Sequence, residues 1–342
     1  MDETTEPGSG WRPDVLGEGW VARDLDLPDG AVATLVRRRD PVPDPAPEVD
    51  EGPRPAVLYV HGYIDYFFQT HVADYLTELG YDFYAIDLRR YGRSLRPGQL
   101  RGFITDLDHY FVELGAAADL IAEDHDRLLL IGHSTGGLIT ALWAAHSADR
   151  LEGLILNSPW LDLQGSVIVR TLGTPVIDAL GSRTPTSVLW QPNVGFTARS
   201  LHISMGGEWD YDLTLKSTPA PAIRAGWLRA MLLGHQRVAA GLGISVPILV
   251  LASTLSDFSR RWHEGLRVVD SVLDVEQIAA RAVRLGPHVT VVRIPEGLHD
   301  LTLSAPHVRK QALDEIGRFV EAYVKRGVTL QDGSVGGGAR PD

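Results

Sequence analysis

Gly132-His133-Ser134-Thr135-Gly136 is the stretch of this sequence best suited to chemistry. It sets a serine between two glycines as G-x-S-x-G, directly after the apolar run Leu128-Leu129-Leu130-Ile131 and directly before the helical stretch beginning at Gly136. A serine on a tight strand-to-helix turn exposes its hydroxyl on a strained backbone, and small neighbours avoid collisions there. The start of the following helix adds positive potential. Such a hydroxyl is a candidate nucleophile toward an acyl carbon, so a base, an acid to orient it and donors for an oxyanion must be sought.

With an elbow of this kind the acid and then the base follow the nucleophile in chain order. Of twelve histidines, His299 lies in the loop after the last apolar run, Val289 to Ile294, and before the final helix. His288 and His307 flank those elements and read as surface residues, and His263 precedes the expected acid. The acid should follow the run Val246 to Leu251. Asp270, Asp257 and Asp274 are the candidates; Asp270 is preferred because it stands on a loop just before a helix, whereas Asp274 has the position of an N-cap. Thr135 N–H is the first oxyanion donor by position. Tyr63 N–H, in His61-Gly62-Tyr63-Ile64-Asp65 after the run Ala56 to Val60, is the second.

Elements able to hold these residues alternate as short apolar runs and longer amphipathic stretches, the pattern of a parallel sheet with crossover helices. Strands are expected at Ala56 to Val60, Tyr81 to Leu88, Arg127 to Gly132, Leu151 to Leu156, Val246 to Leu251 and Val289 to Ile294, nearly continuous in apolar residues as doubly covered strands are. Helices are expected at Phe67 to Leu79, Phe103 to Glu123, Gly136 to Ala148, Val275 to Leu285 and Pro306 to Arg326. Leu107, Phe111, Leu114, Ala118 and Ile121 would form the buried stripe of one helix, and Leu313, Ile316, Val320 and Tyr323 that of the last. An N-terminal hairpin is expected over Trp20 to Leu27 and Ala31 to Arg37, turning at Pro28-Asp29-Gly30, with an exposed acidic, proline-rich loop from Asp40 to Pro55.

Between about 161 and 244 the rhythm stops, which marks an inserted cap. The expected organisation is a polar segment 1–19, a core of 20–160 and 245–327, the cap 161–244 and a flexible tail 328–342. The cap carries Val167, Ile168, Val169, Leu172, Val176 and Ile177, then Trp190, the stretch Glu208-Trp209-Asp210 and Trp227. Trp160, just before the cap, and Trp209 within it are the expected substrate contacts. The other role open to such residues is the cap's own core.

The motifs together resemble the α/β-hydrolase superfamily, in particular its monoacylglycerol lipase, lysophospholipase and serine aminopeptidase-like branch, over about Trp20 to Arg326. Asp87-Leu88-Arg89-Arg90-Tyr91-Gly92-Arg93-Ser94 is similar to the D-x-R-G-x-G-x-S turn of that branch, with Arg90 in place of the first glycine. His61-Gly62 lacks the glycine and histidine often seen after it, and Asp270 lies farther from its strand than the family's acid usually does. The resemblance implies a mostly parallel central sheet covered by helices on both faces, with an inserted cap. It also implies a serine hydrolase of carboxylic esters, for example monoglycerides or lysophospholipids. An amide or peptide hydrolase, or a non-catalytic binding member of the fold, are the alternatives.

Composition narrows the rest. The 342 residues include no cysteine, which excludes a thiolate nucleophile and a disulfide framework, and triad chemistry calls for no metal or other cofactor. A net charge of −12 opposes nucleic acid as a partner, leaving a small acyl substrate. The acidic start Met1-Asp2-Glu3 lacks a signal peptide's basic and apolar regions, and no apolar run is long enough to span a bilayer. A cytoplasmic protein without stable membrane insertion is expected; the oligomeric state is left open.

Overall fold

A computed structural model describes residues 10–39, 53–163, 167–192 and 195–325, with side chains of 167–174 excepted. Most of the predicted acidic loop, the start of the polar N-terminal segment, the expected tail and the expected cap residues Val167, Ile168, Val169 and Leu172 therefore lie outside what is described, wholly or in their side chains.

The strands are β1 (Arg12–Pro13), β2 (Trp20–Asp26), β3 (Val32–Arg38), β4 (Ala56–Val60), β5 (Asp82–Asp87), β6 (Leu128–His133), β7 (Gly153–Asn157), β8 (Val188–Trp190), β9 (Ile223–Arg224), β10 (Ile248–Ser253) and β11 (Val289–Ile294). The helices are α1 (Thr70–Glu78), α2 (His109–Ile121), α3 (Thr135–Ala144), α4 (Val167–Arg183), α5 (Gly195–Leu201), α6 (Ala225–Ala240), α7 (Val275–Ala282) and α8 (Pro306–Phe319). The main sheet runs β1-β2-β3-β5-β4-β6-β7-β10-β11. From β5 to β11 every pairing is parallel, while β1, β2 and β3 add an antiparallel edge.

Side chains alternate across this sheet, as the period of two requires. Leu58 and Val60 of β4 join Leu130, Leu154 and Val250 in a core shared with α2, α3 and α6. Val57 and Tyr59 join Ile131, Ile155 and Leu251 in a second core shared with α1 and α8. The parallel strands are thus buried on both faces, which is why they read as apolar runs rather than as alternation. Between β7 and β10 lie α4, α5 and α6 with the small antiparallel pair β8-β9.

Several expected boundaries shift. Helix α1 begins at Thr70, and Phe67 instead fills the core beside Trp20, Tyr59 and Phe83. Helix α2 begins at His109, leaving Leu107 in the preceding loop; its buried face is Tyr110, Leu114, Ala117, Ala118 and Ile121, while Phe111 is half-buried under Arg237. On α8 the buried stripe runs Val308, Ala312, Ile316 and Phe319, then Val320, with Leu313 and Tyr323 only half-buried. The N-terminal segment also enters the fold: Trp11 is buried beneath the Arg37 guanidinium and Asp14 pairs with Arg93 at 2.6 Å.

Candidate active site

The turn from β6 into α3 holds Ser134 at φ 55° and ψ −117°, a conformation that costs a non-glycine residue energy. What permits it is the smallness of its neighbours. A Cβ on Gly136 would stand 2.3 Å from the His61 carbonyl oxygen, and one on Gly132 would stand 2.7 Å from that of Gly136. The Ser134 N–H donates to the Asn157 carbonyl at the end of β7, and the Ser134 carbonyl accepts from Trp160 N–H, so the strained residue is held from both sides.

His299 follows β11 and brings Nε2 to 2.9 Å from Ser134 Oγ. Its Nδ1 lies 2.9 Å from Asp270 Oδ2. Asp270 is fully buried, and its Oδ1 accepts backbone N–H bonds from Val272 and Leu273 at 2.8 Å each. The long sequence between β10 and Asp270 is a closed excursion. Asp270 N–H donates to the Leu255 carbonyl and the Asp270 carbonyl accepts from Asp257 N–H, so the chain leaves and returns within two residues of the strand end. Asp257 instead caps Ser259 and faces His263 at 3.2 Å, half-exposed. Asp274 accepts from Glu276 N–H as the N-cap of α7.

The backbone of Gly62 approaches Ser134 so closely that a Cβ there would lie 3.1 Å from the serine Cβ. Tyr63 N–H in this loop and Thr135 N–H at the start of α3 are the two expected oxyanion donors, and among the described residues neither donates to a protein acceptor. His61 pins the loop: its Nε2 accepts from Leu88 N–H at 3.0 Å while Nδ1 lies 2.7 Å from the Gly62 carbonyl. A cavity of about 40 Å³ beside His299 is lined by Lys216, Ser200, Ser271, Leu298 and Asp300 among others. The larger cavity, about 290 Å³, lies far from this chemistry, between Arg37, Arg54, Asp82 and His125.

The family model described as serine aminopeptidase, S33, matches residues 51–305. The chain belongs to that family. It is an α/β hydrolase, and the monoacylglycerol lipase of Mycolicibacterium smegmatis is 25% identical to it over 280 residues, 80% of this chain and 91% of that protein. Phospholipase YtpA of Bacillus subtilis is 30% identical over 114 residues, 33% of this chain and 43% of that protein. Among solved structures, a soluble variant of Saccharomyces cerevisiae monoglyceride lipase shares the fold with a TM-score of 0.62 at 16% identity, covering 87% of this chain and 94% of that one. A Bacillus coagulans carboxyl esterase does so with a TM-score of 0.62 at 16% identity, covering 90% and 100%.

In this S33 hydrolase the motif Asp87 to Ser94 is a structural turn. Asp87 accepts from Phe67 N–H, Arg93 N–H and the Arg93 guanidinium, and Ser94 Oγ donates back to the Asp87 carbonyl. Arg90 takes φ 66°, the left-handed conformation that suits a glycine. Of the two expected substrate contacts, Trp160 stands beside Ser134 and stacks on Trp227 of α6, which in turn packs 4.5 Å from the Tyr63 ring. Trp209 stands elsewhere: it stacks on His71, lies under Arg309 and donates its indole N–H to the Leu303 carbonyl. Glu208 pairs with the same Arg309 at 2.7 Å.

Some residues at the site carried no sequence signal of their own. Asp300, next to His299, is buried and accepts from Asn157 Nδ2, Gln69 Nε2 and both the N–H and hydroxyl of Thr302. Burial would raise its carboxyl, but the charges of His133 and Lys216 and the bonds from Thr302 and Gln69 hold it at about 2. Burial pushes the His133 imidazole down to about 4, against the pull of Asp300, so it is neutral at pH 7. The pairing of a buried Asp65 with Lys216 at 2.6 Å is the other such feature. A polar residue closing an apolar strand, as Asn157 does, is the one hint the sequence offered.

Proposed function

We propose that this chain hydrolyses carboxylic esters with neutral, lipid-like or small acyl groups, through an acyl-enzyme on Ser134. The observation that carries this is the continuous line Asp270–His299–Ser134, with 2.9 Å at each junction. Ser134 Oγ attacks the ester carbon as His299 Nε2 takes its proton, and Asp270 holds the ring and stabilises the imidazolium. The oxyanion that develops faces the Tyr63 and Thr135 amides, preorganised in a site sheltered from water. His299 then returns the proton to the departing alcohol, and water, activated by the same nitrogen, releases the acid.

Trp160, whose backbone N–H donates to the Ser134 carbonyl, packs with Trp227 and Tyr63 into an aromatic cluster suited to an acyl chain. The segment 161–244 serves as a cap over it. The cavity of about 40 Å³ beside His299 holds little more than a water. The similarity to a protein named as a monoacylglycerol lipase supports monoglycerides as the first substrates to try.

Peptide hydrolysis from a free N-terminus needs a carboxylate available to the substrate ammonium. Asp65 is engaged by Lys216, Asp300 by its donors and Glu208 by Arg309, so none of these three is free for that role, whereas Asp210 is exposed. The test sets p-nitrophenyl esters of graded length against aminoacyl anilides, with fluorophosphonate labelling of wild type and Ser134→Ala. Ester turnover and labelling that both vanish in Ser134→Ala are expected. Equal labelling of the variant, or turnover confined to anilides, would refute the proposal.

A further inference from the structure

The loop that carries Tyr63 needs an explanation for its shape. Ile64, the next residue, has φ 53°, which a β-branched side chain adopts only when its surroundings force it. His61 fixes the loop before this point. After it, the loop is gripped by the segment 211–216, which belongs to the stretch between β7 and β10. Asp212 N–H donates to the Tyr66 hydroxyl at 2.9 Å. The rings of Tyr66, Phe68 and Tyr211 form a ladder with centroids 5.4 and 5.0 Å apart. Lys216 reaches under this ladder, 5.4 Å from the Phe68 ring and 5.7 Å from that of Tyr211, to place Nζ 2.6 Å from Asp65 Oδ2.

We propose that Lys216, through Asp65, is a positioning residue that holds the oxyanion loop in its working shape. Asp65 is buried, with Oδ1 taken by the N–H of Tyr66. A buried carboxylate without a cation is costly, and among the described residues Lys216 is the cation that meets it; His133, 3.9 Å away, is neutral. Without Lys216 the carboxylate must move, protonate or stay as an uncompensated negative charge close to where the oxyanion forms. Each outcome weakens the hole more than it weakens binding of the neutral substrate. The contact also couples the two parts of the enzyme: the oxyanion loop is complete only while segment 211–216 is seated on it.

Lys216 also lines the cavity beside His299, so a direct role in binding an anionic substrate is the competing assignment. Both presuppose the acyl transfer at Ser134 proposed above. The experiment measures kcat and KM on p-nitrophenyl butyrate and on an anionic ester of equal acyl length, and inhibition by a trifluoromethyl ketone whose tetrahedral adduct places an oxyanion in the hole. These are read in wild type, Lys216→Met, Lys216→Arg and the doubly neutral Asp65→Asn/Lys216→Met, which avoids a lone buried charge should Lys216→Met fail to fold. The expected result for Lys216→Met, or for the double variant in its place, is kcat lower by on the order of ten- to a hundredfold with KM little changed. The inhibition constant should rise by a similar factor, with most activity retained by Lys216→Arg. Unchanged kcat and ketone affinity would overturn the proposal. So would a loss confined to KM for anionic esters, which assigns Lys216 to substrate recognition. A wild type that fluorophosphonate does not label overturns the Ser134 mechanism and this role with it. A labelled wild type with an indifferent Lys216→Met overturns this role alone.

Discussion

Asp270→Asn isolates the acid with almost no change of shape. The carboxylate now works with both oxygens: Oδ1 accepts two backbone N–H bonds and Oδ2 faces His299 Nδ1. An asparagine has one oxygen and one NH2, so it must choose. Turning the NH2 toward Val272 and Leu273 would set a donor against two backbone N–H groups and cost the buried Leu273 N–H its acceptor, at about 1–3 kcal/mol. The favoured arrangement keeps the oxygen there and points the NH2 at His299 Nδ1, which must then accept. The proton of the imidazole moves to Nε2, where it faces Ser134 Oγ and can no longer take the serine proton. The expected loss in kcat is roughly 10⁴-fold, or about 5.5 kcal/mol of transition-state stabilisation. Because the two backbone bonds survive, the melting temperature should move little. Initial rates on p-nitrophenyl butyrate, with circular dichroism melts of the same samples, measure both quantities. If Asp270→Asn keeps its kcat within about tenfold of wild type, or Asp257→Asn loses more, Asp270 is not the acid.

Three further outcomes are expected. Gly136→Ala should destabilise the fold by about 1–3 kcal/mol, because its Cβ would meet the His61 carbonyl oxygen at 2.3 Å; an unaltered urea midpoint would contradict that packing. Burial lowers His133 and His235 from 6.5 to about 4, so between those values the unfolded chain binds more protons and stability must fall on acidification, by up to about 3 kcal/mol for each histidine. Urea unfolding at pH 7 and pH 4.5 should show the drop and His235→Gln should reduce it, whereas a flat profile would count against both assignments. Finally, kcat/KM should rise with acyl length by roughly 0.8 kcal/mol per methylene until the pocket fills, and neutral esters should be preferred over anionic ones of equal length, since the chain carries −12 overall and Lys216 is committed to Asp65. An anionic preference at low salt that fades as salt is added would refute this.

What could be read in the sequence was what depends on neighbours in the chain. The glycines around Ser134 and the apolar run before it specify a strand-to-helix turn because steric exclusion acts over a few residues, and the fully apolar strands announce a sheet buried on both faces. Asp274 as a helix N-cap was legible for the same reason. Boundaries were less so: Phe67 and Leu107 fit a helical spacing but are held by packing with Trp20 and Tyr59 in one case and by the core shared with α2, α3 and α6 in the other. Distances between remote segments were not legible at all. Asp270 stands far from its strand in sequence yet meets it in space, because the loop closes on itself through Leu255 and Asp257. Asn157 was hinted at as a polar residue closing an apolar strand, but nothing local marked Gln69 or Lys216 as neighbours of the serine and the oxyanion loop. Their placement depends on how β7, the segment after β4 and the segment 211–216 pack together, and a hydrogen bond or ion pair between residues far apart in the chain leaves no periodic trace in the sequence. The elbow around Ser134 and its sheet were legible because they depend on neighbours in the chain, whereas the polar groups and the cation placed around them depend on packing between remote segments.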